Sequence, residues 1–197
     1  MELRVNGQKI DITLEGEKTV GQVLKAWESE AAKNDATTIS IKLNGQEISA
    51  DDFESAIQKP IEDNTLIELS IVTKAEIQAT FRECGQAFEN YVSQLKEIPV
   101  LLQSGKEAAA NKTIADFAEV IDLFCHTAAL SALFPDVYQA VKIGDKAIET
   151  FFEEFAPVLK DFEDAFQNKD TVSVGDLAEY EISPRLEEIS SAIKQAF

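Results

Sequence analysis

Through the first fourteen residues, apolar side chains keep a period of two: Leu3 and Val5, then Ile10, Ile12 and Leu14. That spacing puts them on one face of an extended chain. Asn6-Gly7 divides the two runs, and both residues tolerate the positive φ of a tight type I′ turn, so the pattern predicts a β-hairpin. The period then lengthens. Val20, Val23, Leu24, Trp27 and Ala31 form one stripe of a helix, opened by the capping-box pair Thr19 and Gln22. Alternation returns at Ile39, Ile41 and Leu43, and Asn44-Gly45 turns the chain into a short arm at Ile48. A brief helical turn is expected over residues 53–57. The last strand is expected over 65–72, with Ile67, Leu69 and Ile71 inward.

Beyond residue 73 the pattern is helical throughout. Thr73 and Glu76 form a second capping box, so a helical region starts with essentially no linker and a restricted orientation of the two modules is expected. Ile77, Phe81, Cys84, Phe88, Tyr91, Leu95 and Ile98 recur at steps of four and three until Gly105 ends the helix. A second stripe runs through Ile114, Phe117, Ile121, Phe124 and Ala128. It becomes almost wholly apolar at Ala129, Leu130, Leu133 and Phe134, which predicts a central, covered position. Pro135-Asp136 is expected to start the third helix, with Ile148, Phe152, Phe155, Leu159, Phe162 and Phe166 inward. The fourth runs from about Val172 through Leu177, Ile182, Leu186, Ile189, Ile193 and Ala196. Four such stripes predict a four-helix, antiparallel bundle, with a two-chain bundle as the competing arrangement. Pro99, Pro157 and Pro184 each remove an amide donor and crowd the carbonyl four residues back. They either wrap helices around the core or splay them to open a groove.

The order strand, strand, helix, strand, short strand, strand in residues 1–73 resembles ubiquitin and its β-grasp relatives. The local likeness is strongest from Ile41-Lys42-Leu43-Asn44-Gly45-Gln46-Glu47-Ile48 to Asn64-Thr65-Leu66-Ile67-Glu68-Leu69. The expected fold class is therefore α+β: a ubiquitin-like β-grasp domain over 1–73, then an acidic helical bundle over 74–197. Two departures matter for function. The family's conjugation and sulfur-carrier chemistry needs a free Gly-Gly carboxylate, whereas this sequence has no Gly-Gly and continues into helix. The family's receptors read an apolar patch on the sheet, whereas the matching positions here are Lys42, Glu68 and Ser70.

Charge narrows the partners. Thirty-six acidic against eighteen basic side chains give −18, shared as −7 over residues 1–73 and −11 over 74–197. Such a field repels nucleic-acid phosphate and anionic lipid, so neither nucleic acid nor a membrane is expected as a partner. The plain reading of the charge is a solvated surface; the sharper one is a basic protein partner. Met1-Glu2-Leu3-Arg4-Val5 carries no leader pattern, and the most apolar run, 123–134, is interrupted by His126 and too short to span a bilayer. A cytoplasmic location is expected. Cys84 and Cys125 lie among apolar residues at helical spacing and read as reduced core thiols.

Glu119, Asp122 and His126 make the richest polar cluster. Asp122 and His126 sit one helical turn apart and are weak metal candidates, but the chain holds a single histidine, fewer than a di-iron bundle needs. A helix-surface pairing of the two is the simpler reading. Cys125 and His126 are neighbours on a helix and point about 100° apart, so adjacency does not make them a nucleophile pair. Glu149, Glu153, Glu154, Asp161, Glu163 and Asp164 read as the solvated face of the third helix. No phosphate loop, nucleophile elbow or zinc spacing occurs, and no catalytic residue or cofactor is expected. The sequence thus points to a non-enzymatic protein-interaction component, adaptor or chaperone-like. The alternatives are a self-assembling structural protein or a metal- or small-ligand-binding bundle.

Overall fold

A computed structural model describes residues 1–197, which form two compact units, Met1–Glu76 and Ile77–Phe197. In the first, β1 (Glu2–Val5) and β2 (Gln8–Ile10) pair antiparallel around Asn6 and Gly7, whose φ of 47° and 78° give the expected hairpin turn. Helix α1 (Val20–Ala32) opens on Thr19, whose hydroxyl accepts from the Gln22 amide while the Gln22 side chain reaches back to the cap. Strands β3 (Ala36–Leu43) and β4 (Gln46–Glu47) flank a turn at Asn44-Gly45, α2 covers Ala50–Ile57, and β5 runs Leu66–Thr73. The order across this mixed sheet is β2-β1-β5-β3-β4, with β1 parallel to β5.

One face of the sheet buries Leu3, Val5, Leu43, Ile67 and Leu69 against Val20, Val23 and Leu24 of α1. The register places Glu2, Arg4, Lys9, Lys42 and Glu68 on the other face. There Glu2 pairs with Arg4 at 2.7 Å and Lys9 at 3.3 Å. Those two cations hold the Glu2 carboxyl below its ordinary pKa, Arg4 contributing most.

Three inward assignments fail. Ile39 is 43% exposed because a bulge between Thr38 and Ser40 leaves it unpaired, and the alternation flips there. Across the bulge, in β5, Val72 is buried while Ile71 is only partly covered. Ile12 and Leu14 are 37% and 42% exposed. β1 begins at Glu2, so once Leu3 has paired with Ile10 the second strand has almost no partner left, and residues 11–14 leave the sheet.

The second unit is built from α3 (Lys74–Gln103, whose first residues belong to the first unit), α4 (Glu107–Ser131), α5 (Pro135–Ala140), α6 (Ile148–Gln167), α7 (Thr171–Asp176) and α8 (Ser183–Ala196). A π-helical turn, Leu177–Ile182, joins α7 to α8. Phe124 of α4 is the hub of the core, with ring centroids 5.8 Å from Phe81, 5.4 Å from Phe88 and 5.4 Å from Phe152. Tyr91 meets Phe117 at 5.6 Å, so α3 and α4 run antiparallel. The run α7–α8 also lies antiparallel to α3: Gly175 sits against Pro99, Ser183 against Val92, Gly85 against Ile193, and Lys194 pairs with Glu89.

This differs from four simple helices. The stretch expected to begin the third helix at Pro135 is interrupted by a hairpin, β6 (Lys142–Ile143) and β7 (Lys146–Ala147), around Gly144 and Asp145 at φ 56° and 64°. Positive φ at both residues favours a tight turn over helix. The stretch expected to be covered, Ala129, Leu130, Leu133 and Phe134, is not: Ala129 is exposed, Leu133, just past the end of α4, is 48% exposed, and Leu130 and Phe134 are only partly buried.

Candidate functional site

The helical unit carries a cleft of about 650 Å³ between the end of α6 and the α7–π turn segment. Phe155, Phe162 and Ala165 turn inward on α6, so Asp161 and Asp164 face outward. After Asn168 the chain reverses, and Asp170 caps α7 by accepting from the Ser173 amide at 3.1 Å and hydroxyl at 2.7 Å. Those bonds, the hydroxyl's first, hold the Asp170 carboxyl below its usual pKa. Asp176 and Glu181 complete an acidic lining, and Tyr180 rises beside it, 65% exposed.

The π turn sets this arrangement. Pro184 has no amide to offer the carbonyl of Tyr180 and its ring would crowd that carbonyl in a regular helix. The chain responds one residue earlier: the Ser183 amide bonds to Ala178, five residues back, and the buried Ser183 hydroxyl donates to the same carbonyl at 2.6 Å. The wider turn keeps Ala178 and Ile182 buried and leaves Glu179 and Tyr180 outside. Arg185 is the one cation paired at this lining, 2.6 Å from Glu181. Of the other carboxylates in the lining, Asp170 is engaged in the α7 cap, and Asp161, Asp164 and Asp176 form no ion pair.

A second recess, of about 300 Å³, lies in the N-terminal unit between residues 10–17 and α1. It is apolar at its floor and acidic at its rim.

The sequence's own candidates fall elsewhere. Asp122 and His126 are both exposed on α4, and no group of three or more His, Cys, Asp or Glu side chains is placed to hold a metal ion. Cys84 is buried, and burial pushes its thiol up to about 11, with Glu83 and Cys125 adding to the shift. Cys125 is exposed rather than a core filler; partial desolvation and then the Asp122 charge raise its pKa. Tyr180 belongs to none of the apolar stripes, and the sequence pattern does not single it out. The nearest signal is the buried spacing Val174, Ala178, Ile182, Leu186, four residues at every step, which a regular helix does not hold on one face.

Two family models match this chain. Residues 1–73 match the TP0873 N-terminal domain, and residues 79–192, more than half of the chain, match a domain of unknown function (DUF8042). The chain belongs to the DUF8042 family. The acidic cleft, Asp161 to Glu181, lies wholly within the DUF8042 match. An uncharacterized protein of Treponema pallidum (strain Nichols) is similar along nearly its whole length, 29% identical over 193 residues that cover 98% of this chain and 96% of that one. The likeness therefore spans both units of this DUF8042 protein. No solved structure matches it. No helix is long and apolar enough to cross a membrane.

Proposed function

We propose that this protein is a non-enzymatic interaction component, adaptor or chaperone-like, whose acidic cleft receives a basic segment of a partner protein. One observation carries the reading: Asp161, Asp164, Asp170 and Asp176 converge on one concavity beside an exposed Tyr180, with no cation of the chain paired to them. Carboxylates gathered on a concave wall reinforce one another's field and steer a cationic segment inward, and an exposed aromatic ring supplies the contact area that charge alone lacks. The N-terminal unit fits a ubiquitin-like β-grasp fold, supported by its sheet order and its parallel β1–β5 pair. The salt-bridged face carrying Lys42 and Glu68 argues that it does not engage apolar ubiquitin receptors. Pairwise contacts among α3, α4, α6 and the α7–α8 run support a four-helix antiparallel bundle for the second unit.

The test is comparative capture from native lysate with the wild-type chain and an Asp164→Asn, Asp176→Asn, Tyr180→Ala variant. The expected result is a basic protein held in stoichiometric amount by the first and released by the second. Equal recovery by both, or no partner, overturns the reading. Exposed Leu123 on α4 and Leu133 just beyond its end favour a second one, self-association. Light scattering after size exclusion checks it, and a monomer at high concentration removes it.

A further inference from the structure

The recess in the N-terminal unit goes beyond the cleft: it is a different surface, and it has a different chemistry. Leu3, Ile10, Ile12, Leu14, Val23 and Trp27 form its floor and walls. Three observations bear on what fills it. First, β2 is the outer strand of the sheet, and residues 11–14, which continue it, make no backbone hydrogen bond to another element. An apolar, unpaired edge of this kind is a template for an added strand. Second, the Trp27 indole N–H is buried without a hydrogen-bond acceptor. Buried indoles normally find one, so this donor is short of a partner. Third, the rim is acidic. Asp11, Glu17 and Glu30 line the recess; only Glu30 is in an ion pair, with Lys33 at 2.7 Å, while Glu17 accepts from the Glu15 amide at 2.7 Å.

We propose that this recess docks an extended segment of a partner protein in which apolar and basic residues alternate. The segment lies along residues 11–14, sets its apolar side chains beside Ile12, Leu14 and Trp27, and directs its lysines or arginines at Asp11 and Glu17. A backbone carbonyl of the segment, or a side-chain acceptor, takes the Trp27 indole hydrogen. Alternation is required because successive side chains of an extended chain point to opposite sides. Charge decides against a second copy of this chain as the occupant: its own net charge is −18, and its N-terminal unit carries −7.

Trp27 is the sole tryptophan, so its emission and its single indole amide resonance report on this recess alone, whatever binds elsewhere on an acidic surface. The probe is a blocked synthetic heptapeptide of alternating leucine and lysine. It is expected to shift Trp27 emission saturably and to move the indole proton downfield. Peptides alternating serine with lysine, or leucine with glutamate, are expected to do neither at the same concentration. Leu14→Ser, at an exposed position, and Glu17→Lys, at a partly buried one, are each expected to weaken the Leu-Lys response by about tenfold, the scale of one lost contact. Circular dichroism checks that both variants keep the fold. Asp164→Asn with Asp176→Asn, which disables the cleft, is expected to leave the response unchanged, so the two proposals fail separately. The inference is overturned by no saturable shift, by an equal response to the serine-lysine peptide, by insensitivity to Leu14→Ser, or by an indole shift that appears on concentrating the protein alone.

Discussion

The two units solve the problem of a core with different side chains. Between sheet and α1, the first uses small and branched aliphatic groups, Leu3, Val5, Val20, Val23, Ile67 and Leu69, with Trp27 only at the margin. The second is organised on phenylalanines, with Phe81, Phe88, Phe124 and Phe155 almost fully buried. A pleated sheet offers a near-flat surface on which branched groups stack in rows, whereas facing helices leave deep, irregular gaps that ring edges and faces fill. The lesson is where each unit tolerates error. The aliphatic core spreads its contacts over many equivalent positions, while the aromatic core concentrates them on Phe124.

That contrast is broken most directly at its two centres. Phe124→Ala removes the ring shared by Phe81, Phe88 and Phe152 and is expected to cost about 3–5 kcal/mol, the usual range for a buried phenylalanine. Ile67→Ala is expected to cost about 2–5 kcal/mol. Urea titration followed by both helical dichroism and Trp27 emission separates the units. Phe124→Ala is expected to move the dichroism midpoint more than the emission midpoint, and Ile67→Ala the reverse. Coincident shifts in both variants would show one cooperative core and end the comparison.

A smaller effect tests close approach in the helical unit. A Cβ added at Gly175 would sit 2.9 Å from the Pro99 ring, so Gly175→Ala is expected to cost about 1–3 kcal/mol by overpacking. If thermal unfolding shows no loss, α7 is not held against α3 at that point. In the N-terminal unit, Thr19→Ala deletes the α1 cap and is expected to cost about 1 kcal/mol, with Thr19→Ser restoring it. The least costly change is Asp170→Asn. Because the folded carboxyl titrates below its ordinary value, its contribution is present above the ordinary carboxylate range and is lost as pH falls through the depressed pKa. The melting-temperature gap between wild type and Asp170→Asn is thus expected near neutrality and should close in acid. A gap that persists there would assign the effect to something other than charge.

How far the chain could be read before its structure depended on how local each cause was. The hairpin at Asn6-Gly7, the caps at Thr19 and Thr73, and the turn at Asn44-Gly45 rest on adjacent residues, and all are present. Ile39 misled because its exposure depends on a bulge relative to β5, thirty residues downstream. Ile12 and Leu14 misled because alternation says nothing about whether a partner strand is long enough. The second hairpin had a local sign, Gly144-Asp145, hidden by treating 135–166 as one helix. Of the candidate surfaces, the acidic residues were visible but their convergence was not, since it depends on the reversal after Asn168 and on the π turn. The unpartnered indole of Trp27 left no mark in the sequence, where the residue looked like one more stripe position.

The π turn is, in genetic terms, one residue more than a regular helix needs between α7 and α8. A single-codon deletion within 179–181 would let the backbone return to ordinary helical bonding. Because the wide turn already absorbs that residue, the Ser183 amide would still reach the Ala178 carbonyl, now four residues back, and everything downstream would keep its face. Leu186, Ile189 and Ile193 would stay buried. What the deletion would remove is the outward step at Glu179 and Tyr180, and with it the aromatic edge of the acidic cleft.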